Sequence, residues 1–287
     1  MRRKIFAIGV FTLISLGVLA FFQRVWFFDG KLHIIFCDVG QGDAIYIRTP
    51  KAVDMLIDGG PDEKVLSCLA DHMPFWDRTL DLVILTHPHA DHLIGLISVI
   101  EQYKVISFVT EKLYNDTVSF AELKKTLVAK DIKTRYALAQ ERIRVSDGVL
   151  LDVVGPTASF LEATSPTGKI GESSEFASLV IKLSYKDQTV LFTGDSQASQ
   201  LEESIGNGLG GVGVLQVPHH GSKTALTEDI IQTLYPKLAV ISVGKNKYGH
   251  PNREIIGKLQ QVKTKILRTD QTGNIELVSD GKKWEVR

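Results

Sequence analysis

The sequence predicts an α/β fold in which two β-sheets pack face to face with helices outside. Short apolar, β-branched runs alternate with segments of helical spacing, and the order strands-then-helix occurs twice without an internal sequence repeat. Acidic or histidine residues stand at the ends of four such runs: Asp58, the stretch His87 to His92, Asp195 and His219-His220. Ligands collect at such strand ends in α/β sheets. With 44% hydrophobic and 23% charged residues, a chain of 287 residues can bury a sizeable core, as one large domain or two small ones.

Arg2-Arg3-Lys4 leads into an uncharged apolar run of 18 residues, Ile5 to Phe22, at the short end of what spans a bilayer. Arg24 closes the run, and Trp26, Phe27 and Phe28 follow as an interfacial aromatic cluster. Residues 1–30 therefore read as a single-pass transmembrane helix with its basic end in the cytoplasm, placing residues 31–287 outside the cell membrane. The alternative is a signal peptide cleaved near Val18-Leu19-Ala20, which would leave a secreted domain.

The domain opens with strands at 32–37, 44–48 and 53–57. The loop Asp38-Val39-Gly40-Gln41-Gly42-Asp43 joins the first two. The third ends in Asp58-Gly59-Gly60, where the glycine pair permits a sharp turn. A helix over about 62–72 precedes a strand at 82–85. Leu93, Ile94, Leu96, Ile97 and Ile100 then repeat at helical spacing. A strand at 105–109 and a helix at 120–130 follow, then strands at 132–136, 141–145 and 149–154. Residues 155–177 are rich in Gly, Ser, Thr and Pro and read as an irregular lid or a flexible insertion. Strands at 178–184 and 189–193, a helix at 197–205, a strand at 212–217 and a helix at 223–234 come next. A strand at 238–243, a helix at 253–262 and strands at 265–268, 274–278 and 282–286 end the chain. Cys37 closes a strand and Cys68 lies in a helix; they read as two buried free thiols, a disulfide being open to them in an oxidising compartment.

The centre of the chain is His87-Pro88-His89-Ala90-Asp91-His92, on a turn between the strand at 82–85 and the next helix. Pro88 keeps that turn from becoming helix too early. Three imidazoles and a carboxylate on so short a turn place four nitrogen and oxygen ligands close together, which suits zinc or a similar divalent ion.

His-x-His-x-Asp-His after a strand resembles the second motif of the metallo-β-lactamase superfamily. The resemblance implies a metallo-β-lactamase αββα sandwich with metals at one edge, between the sheets. Asp58 matches the first motif, Asp195 the fourth and His219-His220 the fifth. It further implies two divalent metal ions, zinc or manganese. His87 and His89 would hold one; Asp91, His92 and one of the His219-His220 pair, here taken to be His220, would hold the other. Asp195 would bridge them, and Asp58 would orient the ligand turn from behind. Asp91, His219 and His250 are the implied catalytic groups, the free histidine of the pair and His250 acting as proton donors or phosphate contacts. Gln41, Asp43, Ser222, Lys223 and Lys245 are the implied substrate contacts. Lys223, at the start of a helix, would hold a phosphate together with backbone N–H groups.

Four stretches narrow the resemblance: Phe36 to Asp43, Thr193-Gly194-Asp195, His219 to Lys223, and Tyr248-Gly249-His250-Pro251. They are similar to the C-terminal domain of the ComEC-like competence proteins, which take up DNA, over most of residues 31–278. A likeness to phosphorylcholine esterases shares the paired histidine. Two departures stand out. One hydrophobic segment takes the place of a transmembrane channel, and no histidine lies between His92 and His219. Ser174, Glu175, Ser178 or water would fill the third-motif position. The His87/His89 site would then be weaker or prefer a harder ion such as manganese.

Lys+Arg and Asp+Glu both number 33. A net charge of zero gives no global attraction to nucleic acid, so any polyanion contact is local. The resemblance implies a membrane-anchored, outward-facing metal-dependent hydrolase, a phosphodiesterase or nuclease acting on DNA, with DNA-uptake machinery as its partner. One alternative is a phosphoesterase for a cell-envelope polymer or a small phosphodiester. Another is a non-catalytic DNA-binding component of an uptake machine. The ligand set weighs against the latter, and the missing third-motif histidine against a β-lactamase.

Overall fold

The computed structural model describes the backbone of residues 2–171 and 177–287, and their side chains except at 2–5, 7, 22–26 and 146. Among the described residues the strands form an eight-stranded sheet, a seven-stranded sheet and a two-stranded pair. The first sheet runs in the order Trp284–Val286, Ile275–Ser279, Leu32–Phe36, Ile45–Arg48, Asp54–Ile57, Leu82–Leu85, Phe108–Thr110 and Thr134–Tyr136. The second runs Lys265–Arg268, Leu238–Ile241, Val214–Gln216, Gln188–Phe192, Val180–Tyr185, Val149–Gly155 and Arg142–Arg144. Each sheet is antiparallel in one half and parallel in the other. This explains the twofold strands-then-helix pattern: tight turns join antiparallel neighbours, whereas parallel neighbours need a crossover, here usually a helix.

The period of two sorts side chains between layers. Leu32, Ile34 and Phe36 enter the core between the sheets. Ile35 and Cys37 face the other way, into the core beneath helices Lys64–His72, Ala90–Gln102 and Val118–Ala129. Helices Ala198–Gly206, Glu228–Leu234 and Arg253–Gln261 cover the outer face of the second sheet. The expected αββα sandwich is the one observed. Its central strands are buried on both faces, so they read as continuous apolar runs.

Several local expectations are corrected. The stretch at 105–109 splits into Lys104–Val105, paired with Thr79–Leu80, and Phe108–Thr110 in the large sheet. The helix expected from Lys223 begins at Glu228. Thr227 caps it by accepting from Ile230 N at 3.2 Å, and Glu228 and Asp229 suit the positive end of its dipole. Lys223 therefore lies in a loop, with no helix N-terminus beside it. Residues 155–177 contain helix Ala158–Thr164, capped by Thr157, and Phe160 and Leu161 pack on a small core of Leu113, Ile170 and Ala177. Ser174 and Glu175 lie outside the described residues. Cys37 and Cys68 are joined in a disulfide, Cα–Cα 5.9 Å, and are not free thiols. It ties the strand before loop 38–43 to the helix above it, and a loop of this length adds about 3–4 kcal/mol on chain-entropy grounds.

Helix Arg2–Phe27 precedes the domain. Its described apolar side chains, Phe6, Phe11 and Leu13 among them, are exposed. Among the described residues none before Leu32 belongs to a core, and no helix is long and apolar enough to cross a membrane.

Where the chain enters the domain, His33 sits between two carboxylates, with Nδ1 2.7 Å from Glu276 and Nε2 2.8 Å from Asp29. Burial opposes a charge on His33, but the two hydrogen bonds outweigh it and raise the pKa; Asp29 and Glu276 are lowered in return. A pKa raised on folding adds stability that is full below the unfolded value, about 6.5 for His, and is lost as pH rises through the folded value. The thermal midpoint is expected to fall by a few degrees as pH rises from about 6.5 through the folded value. His33→Gln should flatten this part of the curve, which a melting series against pH checks.

Candidate metal centre

Five chain segments meet at one edge of the sandwich. Loop 38–43 follows strand Leu32–Phe36, and Asp58 follows Asp54–Ile57. The histidine turn follows Leu82–Leu85, Asp195 follows Gln188–Phe192, and His219-His220 follow Val214–Gln216. Backbone bonds lock the segments together: Asp43 N donates to Asp91 O at 3.2 Å, Gly59 N to His92 O at 2.7 Å, and His219 N to Gly194 O at 3.1 Å.

Three imidazoles have their tautomers set from behind. Asp58 accepts from Thr86 N (2.8 Å), Thr86 Oγ1 (2.7 Å) and His92 Nδ1 (2.8 Å). The Thr86 hydroxyl spends its proton on Asp58, so it accepts from His87 Nδ1 at 3.1 Å. His220 Nδ1 donates to Ser242 O at 2.9 Å. With Nδ1 committed as a donor, each ring turns the Nε2 lone pair to the site. His219 and His220 both have positive φ, 50° and 54°. Such backbone costs on the order of 1 kcal/mol or more per residue, and here it brings two consecutive imidazoles to the same carboxylate.

That carboxylate is Asp195. Its Oδ1 lies 3.3 Å from His92 Nε2 and 3.6 Å from His220 Nε2; its Oδ2 lies 3.8 Å from His87 Nε2 and 3.7 Å from His219 Nε2. Asp91 Oδ2 is 3.5 Å from His220 Nε2. These gaps exceed a normal hydrogen bond. They match the ligand–ligand edge, about 3.4 Å, around an ion held at about 2.1 Å. His92 Nε2, His220 Nε2 and Asp195 Oδ1 are buried without a hydrogen-bond partner among the described residues. Ligand atoms of His87, His89 and Asp195 form one close group, and those of Asp43, His92, Asp195 and His220 another. Asp195 serves both, one oxygen to each, so the residues fit a pair of divalent ions.

The two groups differ in charge. Burial, then repulsion from neighbouring imidazoles, keeps His87 well below its ordinary pKa, and burial lowers His89. Burial also opposes protonation of His92 and His220, but Asp195 and the other carboxylates prevail. They hold His92 well above its usual range and push His220 up to about 9. Without metal, His92 and His220 are thus protonated at neutral pH while His87 and His89 are not. Metal loading at pH 7 is expected to release about two protons per chain, with affinity rising steeply with pH. Calorimetry in buffers of different ionisation enthalpy measures that number.

The remaining site residues separate into layers. Asp43, expected at the substrate, is 2% exposed and belongs instead to the second ligand group, its oxygens 3.9 Å from His92 Nδ1 and 4.0 Å from His220 Nδ1. The side-chain oxygen of Gln41 accepts from Gly244 N at 3.3 Å and fastens loop 244–251 to loop 38–43. Ser222 Oγ contacts Thr224 Oγ1 at 3.3 Å, Lys223 is exposed with Nζ 3.7 Å from Glu254, and Lys245 is exposed. His250 stacks edge-on to His219, ring centres 5.6 Å apart, at the rim. Burial and its histidine neighbours lower its pKa.

Sequence reasoning passed over Thr86, Ser242 and Asn246. Asn246 donates to Gly244 O and His250 O and accepts from Tyr248 N and His250 N, so it shapes the loop that carries His250. An Asn two residues after Gly244 in a turn-rich stretch is the signal that could have found it.

Comparisons with known proteins agree with this geometry. The Metallo-beta-lactamase superfamily profile matches residues 37–245. ComE operon protein 3 of Bacillus subtilis is 29% identical over 274 residues, covering 86% of this chain and 33% of that protein. Recombination protein 2 of Haemophilus influenzae is 25% identical, covering 84% and 28%. Competence protein ComA of Neisseria gonorrhoeae is 30% identical, covering 86% and 32%. The chain thus spans about a third of the length of these curated relatives. Among solved structures, the metallo-β-lactamase-fold protein YhfI of Bacillus subtilis superposes with a TM-score of 0.57 at 12% identity, over 85% of this chain and 99% of its own. The metallo hydrolase Igni18 of Ignicoccus hospitalis does so with 0.55 at 13%, over 86% and 98%. The chain belongs to the metallo-β-lactamase superfamily, where it stands with the ComEC-like competence proteins.

Proposed function

We propose that the protein is a two-metal phosphodiesterase acting on DNA, held at the outer face of the cell membrane by its N-terminal helix. The observation that carries the hydrolytic reading is Asp195, with one oxygen toward each of two ligand groups, in one of which the buried His92 and His220 Nε2 atoms have no hydrogen-bond partner among the described residues. Divalent ions held there would supply Lewis acidity and ease deprotonation of an attacking water. The chain's own part is to place and to protonate. His250, its pKa lowered, can take or return a proton at the rim, and His219 beside it faces the shared carboxylate.

The DNA reading rests on the relatives, whose names speak of competence and recombination, and on the ComEC-like resemblance. The anchor reading rests on the apolar helix, whose described side chains pack on no core, and on the basic residues that precede it. The buried disulfide favours an oxidising compartment outside the cytoplasm. Protease added to spheroplasts should then degrade the domain; protection until lysis would reverse the topology.

Substrate is decided by assaying the full chain on DNA and on a small phosphodiester, with zinc and with manganese. With zero net charge, DNA contacts must be few. We expect a log–log salt slope equivalent to roughly two to four phosphates. Lys223→Ala and Lys245→Ala should each slow DNA cleavage several-fold more than cleavage of the small ester, which does not reach them. Cleavage of the small ester alone would favour the envelope phosphoesterase reading, and metal binding without hydrolysis a non-catalytic DNA-binding component.

A further inference from the structure

We propose that the edge of the sandwich opposite the metal centre docks on an anionic lipid surface. The strands that deliver groups to the metals start at this edge, and lysines sit at the starts of two of them and of three neighbouring strands. Lys31 precedes Leu32–Phe36, Lys186 precedes Gln188–Phe192, Lys237 precedes Leu238–Ile241, and Lys265 opens Lys265–Arg268. Lys282 and Lys283 precede Trp284–Val286, which runs beside Ile275–Ser279. These segments are joined to one another. Lys265 N donates to Lys237 O at 3.0 Å, Lys237 N to Gly213 O at 3.2 Å, Gly213 N to Thr189 Oγ1 at 2.9 Å, and Gln188 Nε2 to Lys282 O at 2.8 Å.

Together they frame a cavity of about 550 Å³ whose lining includes Lys237, Lys265, Lys282 and Lys283 with Tyr235 and Trp284, and one carboxylate, Asp187. Among the described residues no carboxylate lies within 4.0 Å of the Lys237, Lys265 or Lys282 ammonium groups; Lys31 and Lys283 both approach Glu285. Asp187, Asp280 and Glu285 lie on the same edge as the six lysines named. Tyr235 is 63% exposed. Lysines interleaved with Tyr and Trp suit the headgroup layer of an anionic membrane.

The position of the apolar helix favours lipid over nucleic acid as the occupant. Leu32, the first strand residue after that helix, pairs with Ser279, which pairs with Trp284, and Lys31 lies 3.8 Å from Glu285. The helix thus enters the domain at the lysine edge, and a membrane holding it would lie against that edge. The metal centre would then face away from the bilayer, roughly 17 Å further along five-residue strands. This inference rests on the anchor reading for its setting, while the lysine edge itself is independent of it.

The test reconstitutes the full chain into preformed vesicles of neutral lipid or of one-third anionic lipid. Acetylation rates of individual lysines are then read by mass spectrometry. Each lysine near an anionic surface contributes about 1 kcal/mol, or about fivefold in binding. Lys237, Lys265, Lys282 and Lys283 should be protected about fivefold or more in anionic vesicles, less so at high salt, with Lys223 and Lys245 at the opposite edge unchanged. Equal labelling in both vesicles would overturn the proposal. So would protection that appears only with added DNA, which would mark a nucleic-acid face. Flotation at high salt with neutral vesicles reports the anchor separately: a chain that fails to float yet shows protection on anionic vesicles loses the anchor and keeps the docking edge.

Discussion

Asp195→Ala is expected to lower hydrolysis by at least about a thousandfold and to leave at most one ion bound per chain, measured by assay and metal analysis on the same preparation. The reason is that both ligand groups share this side chain. Burial opposes its charge, and His92, His220 and His219 overcome that, holding its carboxyl well below the usual range. Removing it leaves the His92 and His220 rings, 5.8 Å apart, facing each other across a buried gap. Breaking a buried charge cluster in this way costs about 3–5 kcal/mol, so the metal-free variant should also melt earlier. Asp195→Asn keeps the shape and separates charge from packing. His89→Ala touches only one group and should empty one site while sparing the other. Two ions retained at wild-type affinity in Asp195→Ala would show that Asp195 is not the shared ligand of the two groups.

The legible parts of this site were those carried by residue type at a strand end. Asp58, His87, His89, Asp91, His92, Asp195 and His219-His220 announce themselves because polar groups interrupt apolar runs at the places where a sheet presents ligands. The division between His219 and His220 was not legible. It depends on which ring finds a backbone carbonyl, and the structure gives that partner, Ser242 O, to His220. Asp43 was misplaced because a carboxylate after two glycines looks like a loop residue at a substrate, and only packing shows it beside two imidazoles of the second ligand group. The disulfide was hidden because it joins a strand to a helix across a layer boundary, a relation that no local pattern encodes. Glu111 passed unnoticed for the same reason. It follows Thr110 at the site edge and is wholly buried, with neither oxygen hydrogen-bonded among the described residues. Burial and, next, repulsion from Asp58 push its pKa well up.

Gly95→Ala is expected to destabilise the fold by about 1–3 kcal/mol and to disable the metal centre, although Gly95 is no ligand. It lies inside helix Ala90–Gln102, where alanine is intrinsically better than glycine by about 1 kcal/mol. Propensity alone therefore predicts stabilisation. Packing predicts the reverse. A Cβ at residue 95 would run into the Gly59 carbonyl oxygen and stand 2.6 Å from that of Asp62. Both obstacles are backbone, so no side chain can swing aside. Overpacking of this kind costs about 1–3 kcal/mol, occasionally more. Relief requires the helix to lift from the Asp58-Gly59-Gly60 turn, where Gly95 N donates to Gly60 O at 3.0 Å and Gly59 N to His92 O at 2.7 Å. That movement draws His92 Nδ1 from Asp58 and misaims Nε2, and a displacement of about 1 Å at a reacting centre can cost a hundredfold in rate. Gly257→Ala is the matched control. It also lies within a helix, Arg253–Gln261, and its Cβ would meet nothing within 4 Å, so it should stabilise by up to about 1 kcal/mol. Denaturation midpoints and metal content of the two variants check the contrast. Equal, stabilising effects at both glycines would show that the helix does not rest on the Asp58 turn as described.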